Sequence, residues 1–112
     1  MKALFLSLVV VALVGFDALH YKDSDEKEQV NRMLDDWHKS AAEADFDKYF
    51  GMMTADAIYI GTDPAENWNL KDFQAFAKPY FDKGKAWNFK AIERNIYFDN
   101  SGKLAWFDEL LN

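Results

Sequence analysis

The order of elements along this sequence predicts an α+β fold, a curved antiparallel sheet packed on N-terminal helices so that a pocket is left between them. Three observations lead there. Apolar residues recur at helical spacing over two consecutive stretches, Val30 to Ala41 and Phe46 to Met53. A short β-prone run, Ala57-Ile58-Tyr59-Ile60, follows and stops at Gly61. Two longer stretches rich in aromatic and β-branched residues, Trp87 to Phe98 and Lys103 to Leu111, flank the turn-forming Asp99-Asn100-Ser101-Gly102.

The first helix opens near Asp23-Ser24-Asp25-Glu26, where Asp25 and Glu28 have the spacing of an acidic capping box. Val30, Met33, Leu34, Trp37 and Ala41 then define one apolar stripe, predicting an amphipathic helix from about Glu26 to Ala44. The Asp-x-Asp at 23 to 25 lacks the glycine and the later ligands of a calcium loop. Asp45 can cap a second, short helix, in which Phe46, Tyr49, Phe50 and Met53 repeat at i, i+3, i+4 and i+7.

Ala57 to Ile60 reads as a buried strand that delivers the loop from Gly61 to Trp68 at its tip. Pro64 fixes its own backbone and biases Asp63 towards an extended conformation, so Asp63, Glu66 and Trp68 crowd one rigid loop. Loops of this kind carry sites. The plainer reading is that the two carboxylates begin a turn and the next helix. Asn69 can cap that helix, with Leu70, Phe73, Phe76 and Ala77 on one side and Pro79 and Gly84 ending it.

For the last two strands, a four-residue loop pairs Phe98 with Lys103. Ile92, Arg94, Ile96 and Phe98 then share a face with Ala105, Phe107, Glu109 and Leu111, and Arg94 and Glu109 become diagonal neighbours in an otherwise apolar surface. The opposite face carries Glu93, Asn95, Tyr97, Leu104, Trp106 and Asp108 and meets solvent or a partner. With three strands in all, and alternating apolar side chains still presented at Leu110 and Leu111, the sheet is expected to be incomplete at its C-terminal edge. It would be completed by further chain or by a second copy.

Lys2 and the apolar run from Ala3 to Phe16 match the charged and hydrophobic regions of a secretory signal, and Asp17, His20 and Lys22 end the run too early for a membrane span. Residues 1–18 are therefore expected to be a signal peptide, and the product to be periplasmic or secreted, without stable membrane association once the signal is removed. Cleavage after Ala18 places bulky Phe16, and cleavage after Gly15 places Leu13, where a small residue is wanted. Leu13-Val14-Gly15 resembles the approach to a lipoprotein signal, but position 16 is Phe and not Cys. No cysteine occurs anywhere, so stability must come from burial, and the net charge of −6 with no basic cluster argues against nucleic acid as a partner.

A wider resemblance rests on Trp37-His38, Asp45-Phe46-Asp47 with Tyr49-Phe50, Ile60-Gly61-Thr62-Asp63 with Glu66-Asn67-Trp68, Pro79-Tyr80-Phe81 with Gly84 and Trp87, Arg94, and Ala105-Trp106-Phe107-Asp108-Glu109. On these the sequence resembles the nuclear transport factor 2-like superfamily and, within it, an exported subgroup of bacterial SnoaL-like proteins, over nearly everything after about Gln29. The resemblance implies a cone-shaped domain spanning residues 25–112. In the family a further hairpin follows the Ala-Trp-Phe-Asp-Glu strand, so the resemblance also implies that this domain is truncated at its C-terminus. The same cone serves isomerases, cyclases, dehydratases, binding proteins and assembly modules, and so implies a fold more firmly than an activity.

Acid–base chemistry in such a pocket needs a poised carboxylate and a neutral hydrogen-bond donor. His38, Asp63 and Glu109 are the candidate catalytic residues. Asp63, Glu66, Trp68, Trp87, Arg94, Phe107 and Glu109 are the candidate ligand contacts, because indoles beside a few charges match the make-up of a small-molecule pocket. Each has a structural alternative: Arg94 and Glu109 as a buried ion pair that organises the sheet, His38 as a core-edge histidine bonded to a neighbour, the tryptophans as core. With one histidine in the folded part and no thiol, no metal site is expected, and no phosphate loop or nucleophile elbow occurs, so no cofactor is expected either. The expected function is an exported protein that binds, or turns over, a small apolar or aromatic molecule. The alternative is a non-catalytic module that forms a homodimer or docks another protein through Tyr97, Leu104 and Trp106. Whether the protein is an enzyme is left open by the residues.

Overall fold

The computed structural model describes residues 24–112. The signal-peptide assignment to residues 1–18 lies outside the described residues, as does Asp23. The chain divides into two compact units, one ending at Arg32 and one beginning at Met33. In the first, residues 24–32 are helical, with exposed i,i+4 pairs from Gln29 to Asp25 at 3.1 Å and from Arg32 to Glu28 at 3.4 Å. Such pairs add a few tenths of a kcal/mol at most.

The second unit opens with helix α1 (helical residues 33–42), followed by α2 (Phe46–Gly51), β1 (Ile58–Ile60), β2 (Asn67–Asn69), α3 (Leu70–Asp82), β3 (Ala91–Phe98) and β4 (Ala105–Leu111). This is the expected α+β class. The strands form two separate two-stranded antiparallel sheets, β1 with β2 and β3 with β4, and among the described residues neither closes into a barrel.

Helix α1 stops two residues short of the expected Ala44. Ala44 itself adopts the left-handed conformation (φ 55°), and its N–H bonds to Ala41 O at 3.0 Å while Asp45 N–H bonds to Ser40 O at 2.8 Å. These are the two bonds of a Schellman cap. Asp45 then starts α2 as expected, its carboxylate accepting the N–H of Lys48. The apolar stripes of α1, α2 and α3 meet in an aromatic core of Ala41, Tyr49, Phe50, Phe73, Ala77 and Phe81, with Trp37, Tyr59, Trp68 and Trp87 packed around it.

Tyr49 is 2% exposed, stacked on Trp37 at 5.0 Å and bonded to Trp87. Burial pushes its phenol well above the usual range, against a smaller opposite effect of the Trp87 hydrogen bond. The folded state thus favours the neutral phenol, so its contribution is complete below the unfolded value of about 10 and is lost as pH rises towards the higher folded value. Denaturant midpoints should fall with pH above about 10, and Tyr49→Phe should flatten that fall; a wild-type profile no steeper than the variant's would rule the linkage out.

Several expectations are corrected by tertiary context. Strand β1 is not buried throughout: Ile58 and Ile60 are 61% and 74% exposed, and Tyr59 alone turns inward, stacked 3.9 Å from Phe73. Residues 67–69 are not loop but strand β2, because Trp68 packs inward directly opposite Tyr59; the described strands therefore number four, not three. Pro79 does not end α3, which runs to Asp82. Ala75, whose carbonyl a residue at 79 would normally cap, is exposed to water, as is Pro79. The stop comes at Gly84 (φ 71°), where Gly84 N–H bonds to Phe81 O and Lys85 N–H to Tyr80 O.

The last hairpin also differs from its expected register. Phe98 faces Ala105, not Lys103, and Arg94 lies directly opposite Glu109, not diagonal to it. The reason is Asp99. Its N–H bonds to Leu104 O, its carboxylate accepts the Leu104 N–H and the Ser101 hydroxyl, and these bonds close a loop two residues longer than expected. The Ser101 bond first, then the backbone N–H of Leu104, hold the Asp99 carboxyl below its usual range. Residues 87–90 are not strand; β3 begins at Ala91, and Ile92 bulges out 65% exposed.

Candidate functional site

The strand pair brings Arg94 and Glu109 to one face, and helix α1 brings His38 to them. Side-chain exposure is 7% for Arg94, 6% for Glu109 and 10% for His38. Arg94 donates from Nε to Glu109 Oε2 at 3.0 Å, with a second nitrogen at 2.9 Å, and reaches Asp35 Oδ1 at 2.8 Å. Burial acts to lower the guanidinium's pKa, but the bonds to Glu109 and Asp35 outweigh it and raise it, so the cation is fixed. His38 Nε2 lies 3.0 and 3.1 Å from the two Glu109 oxygens. An ionised carboxylate only accepts, so Nε2 carries the hydrogen. With the ring neutral, Nδ1 is an acceptor, and among the described residues Nδ1 has no hydrogen-bond partner. The geometry has the logic of a carboxylate-oriented histidine.

Three clefts among the described residues bear on these side chains. One, about 370 Å³, is lined by Asp35, His38, Lys39 and Ala42 of α1 and by residues 88–91 ahead of and into β3. A second, about 190 Å³, is apolar, with Phe107 facing Leu34, Trp37 and the methionines 33, 52 and 53. The third, about 140 Å³, is almost wholly aromatic.

The residues singled out in the sequence fall into separate places. His38, Arg94 and Glu109 come together; Glu66, Trp68 and Trp87 line the aromatic cleft; Phe107 lines the apolar one. Asp63 joins none of them. Its carboxylate accepts the Ala65 N–H at 2.8 Å inside its own loop, where Asp63 N–H also reaches Glu66 Oε2 at 3.3 Å. Asp108 points outward to Asn95, as strand alternation requires. Asp35 escaped the sequence reading, although it stands one helical turn before His38 and so on the same side of α1. Phe89 escaped it too, because only the fold places it at two clefts.

The Glu66 side chain lies over Gly61, whose backbone N–H bonds to Glu66 O at 2.8 Å. A Cβ at position 61 would stand 2.7 Å from Glu66 Cβ. Gly61→Ala should therefore cost about 1–3 kcal/mol by overpacking, read from urea midpoints; an unchanged midpoint would show that the loop gives way freely.

Among the described residues no helix is long and apolar enough to cross a membrane, and no group of three or more His, Cys, Asp or Glu side chains could hold a metal ion. The family model for the SnoaL-like domain matches residues 30–112. No curated protein and no solved structure matches the chain.

Proposed function

The chain belongs to the SnoaL-like domain family, within the nuclear transport factor 2-like superfamily, and from that premise we propose that it binds a small molecule with an apolar or aromatic body in the cleft beside His38. The observation that carries this reading is the orientation of His38: Nε2 is held by Glu109, and Nδ1 has no partner within the described protein. Phe89, Ala42 and Ala91 supply apolar wall, Asp35, Lys39, Asn88 and Lys90 supply a polar rim, and His38 supplies an acceptor, a mixture of apolar wall and placed polar groups common in small-molecule sites. Glu109 and Arg94 are positioning residues in this scheme. A ligand that donates a hydrogen to Nδ1 meets a base already aligned for proton transfer, which is the route by which binding could extend to turnover.

Phenol and anisole test the reading, since anisole keeps the ring and the oxygen and has a methyl group where phenol has the donor hydrogen. Calorimetric titration should give tighter binding of phenol, and His38→Gln should weaken phenol by about three- to tenfold, the worth of one hydrogen bond, with little effect on anisole. Equal affinities for the two compounds, or a variant that binds phenol as well as the wild type, would remove His38 from the site.

Export to the periplasm or beyond belongs to the same proposal. It is supported by Lys2 and the apolar run that follows it. Intact-mass measurement of protein from its native host should show residues 1 to about 18 removed; a full-length cytoplasmic product would overturn this. A second reading, association through the outer face of β3 and β4, is favoured by Tyr97 and Trp106, stacked at 5.9 Å and 44% and 51% exposed, beside Leu104 at 60%. Sedimentation velocity of the mature protein decides it, because a monomer at high micromolar concentration leaves that face unpartnered.

A further inference from the structure

We propose that the aromatic cleft at the β1–β2 hairpin is a second binding site, selective for a small methylated ammonium ion. Its floor is Phe73, 1% exposed, and its walls are the rings of Tyr59, Trp68, Phe76, Trp87 and Phe89. The charged side chain in this lining is Glu66. Rings with one carboxylate are the chemistry that holds a quaternary ammonium: the cation is drawn to the negative faces of the rings and to the full charge of the acid, and its methyl groups need no hydrogen-bond partners.

Three further observations favour a cation over a neutral apolar ligand. Glu66 forms no ion pair among the described residues, although thirteen Lys and Arg occur in the chain. Its carboxylate accepts the Asp63 N–H at 3.3 Å and lies across Gly61, so the charge of this lining residue is partly ordered in advance. The field of that charge is felt at the cleft wall, where burial first and then Glu66 raise the pKa of the Tyr59 phenol. The rings are also preorganised. Tyr59 stacks on Phe73 at 3.9 Å and Trp68 on Phe76 at 5.3 Å, and Trp87 stacks on the Phe73 side at 5.9 Å. A cleft of about 140 Å³ admits a headgroup of this size but not a larger fused-ring ligand. The site has Phe89 in common with the His38 cleft and no other lining residue.

Choline and 3,3-dimethylbutan-1-ol decide the matter, since they have the same shape and differ in the charge at the central atom. Titration followed by tryptophan fluorescence and by indole N–H chemical shifts should show choline binding at least about tenfold tighter than the neutral alcohol, the worth of a partly desolvated cation–π contact together with the carboxylate. Glu66→Gln keeps the acceptor for Asp63 N–H and removes the charge, and should bring choline down to the level of the alcohol. Trp68→Leu should weaken choline more than the alcohol. Equal binding of the two probes to wild-type protein would overturn the proposal in favour of a purely apolar pocket. An absence of any response to choline at tens of millimolar would overturn it outright, and neither result bears on phenol binding at His38.

Discussion

Replacing Glu109 by alanine should cost about 3–5 kcal/mol, the range measured when one member of a buried ion pair is removed. The loss does not come from the attraction alone. Arg94 stays 93% covered at its side chain and keeps its charge, with Asp35 at the solvent-exposed end as its remaining charged partner among the described contacts. The His38 Nε2 hydrogen loses both carboxylate oxygens at once. A buried donor left unmatched adds about 1–3 kcal/mol for its own desolvation. Taking out both charges tests the interpretation: Glu109→Leu combined with Arg94→Met should lose much less than Glu109→Ala, since an apolar pair of similar volume leaves no uncompensated charge in the interior. Urea unfolding of the three proteins gives the comparison, and a single variant within 1 kcal/mol of wild type would show that the cluster is hydrated in solution.

That cluster was half legible in the sequence, and the halves have different physical origins. Strand side chains alternate with a period of two, so Arg94 and Glu109 share a face in any register that shifts by an even number of residues. The actual shift is two, and the face assignment survives while the partner changes from a diagonal to a direct one. The loop length itself was not legible, because it depends on which backbone groups the Asp99 carboxylate captures. Strand β2 was hidden for another reason. Asn67 and Asn69 are poor strand formers, and only the packing of Trp68 against Phe76 and across from Tyr59 draws them into a ladder. Most of the three α-helical stripes was legible because a 3.6-residue period is a local property, although Met33 and Phe76 on them stay 49% and 41% exposed. Clefts are not local: Phe89 and Glu66 are 23 positions apart and meet because α3 folds between them.

Phe73→Ala should be among the most damaging changes in the aromatic core, with a loss of about 3–5 kcal/mol. Phe73 is 1% exposed and four rings meet it: Tyr59 stacks on it at 3.9 Å and Trp87 at 5.9 Å, while Phe50 meets it edge-on at 5.4 Å and Tyr49 at 6.4 Å. Truncation deletes the transfer free energy of the ring and leaves a cavity that stacked aromatics cannot easily fill, since each is held by further contacts of its own. Tyr49, for example, is also held by Trp37 and Phe81. Phe73→Leu should lose much less, as it keeps most of the volume without the planar faces. In domains of this size the whole margin is about 5–15 kcal/mol, so the alanine variant should melt many degrees lower and lose its ordered indole environment early. A calorimetric trace for Phe73→Ala within 1 kcal/mol of wild type would mean that α3 can slide to close the gap. In that event Trp68 and Phe76 would shift with it, and the aromatic cleft would have to be redrawn around a different floor.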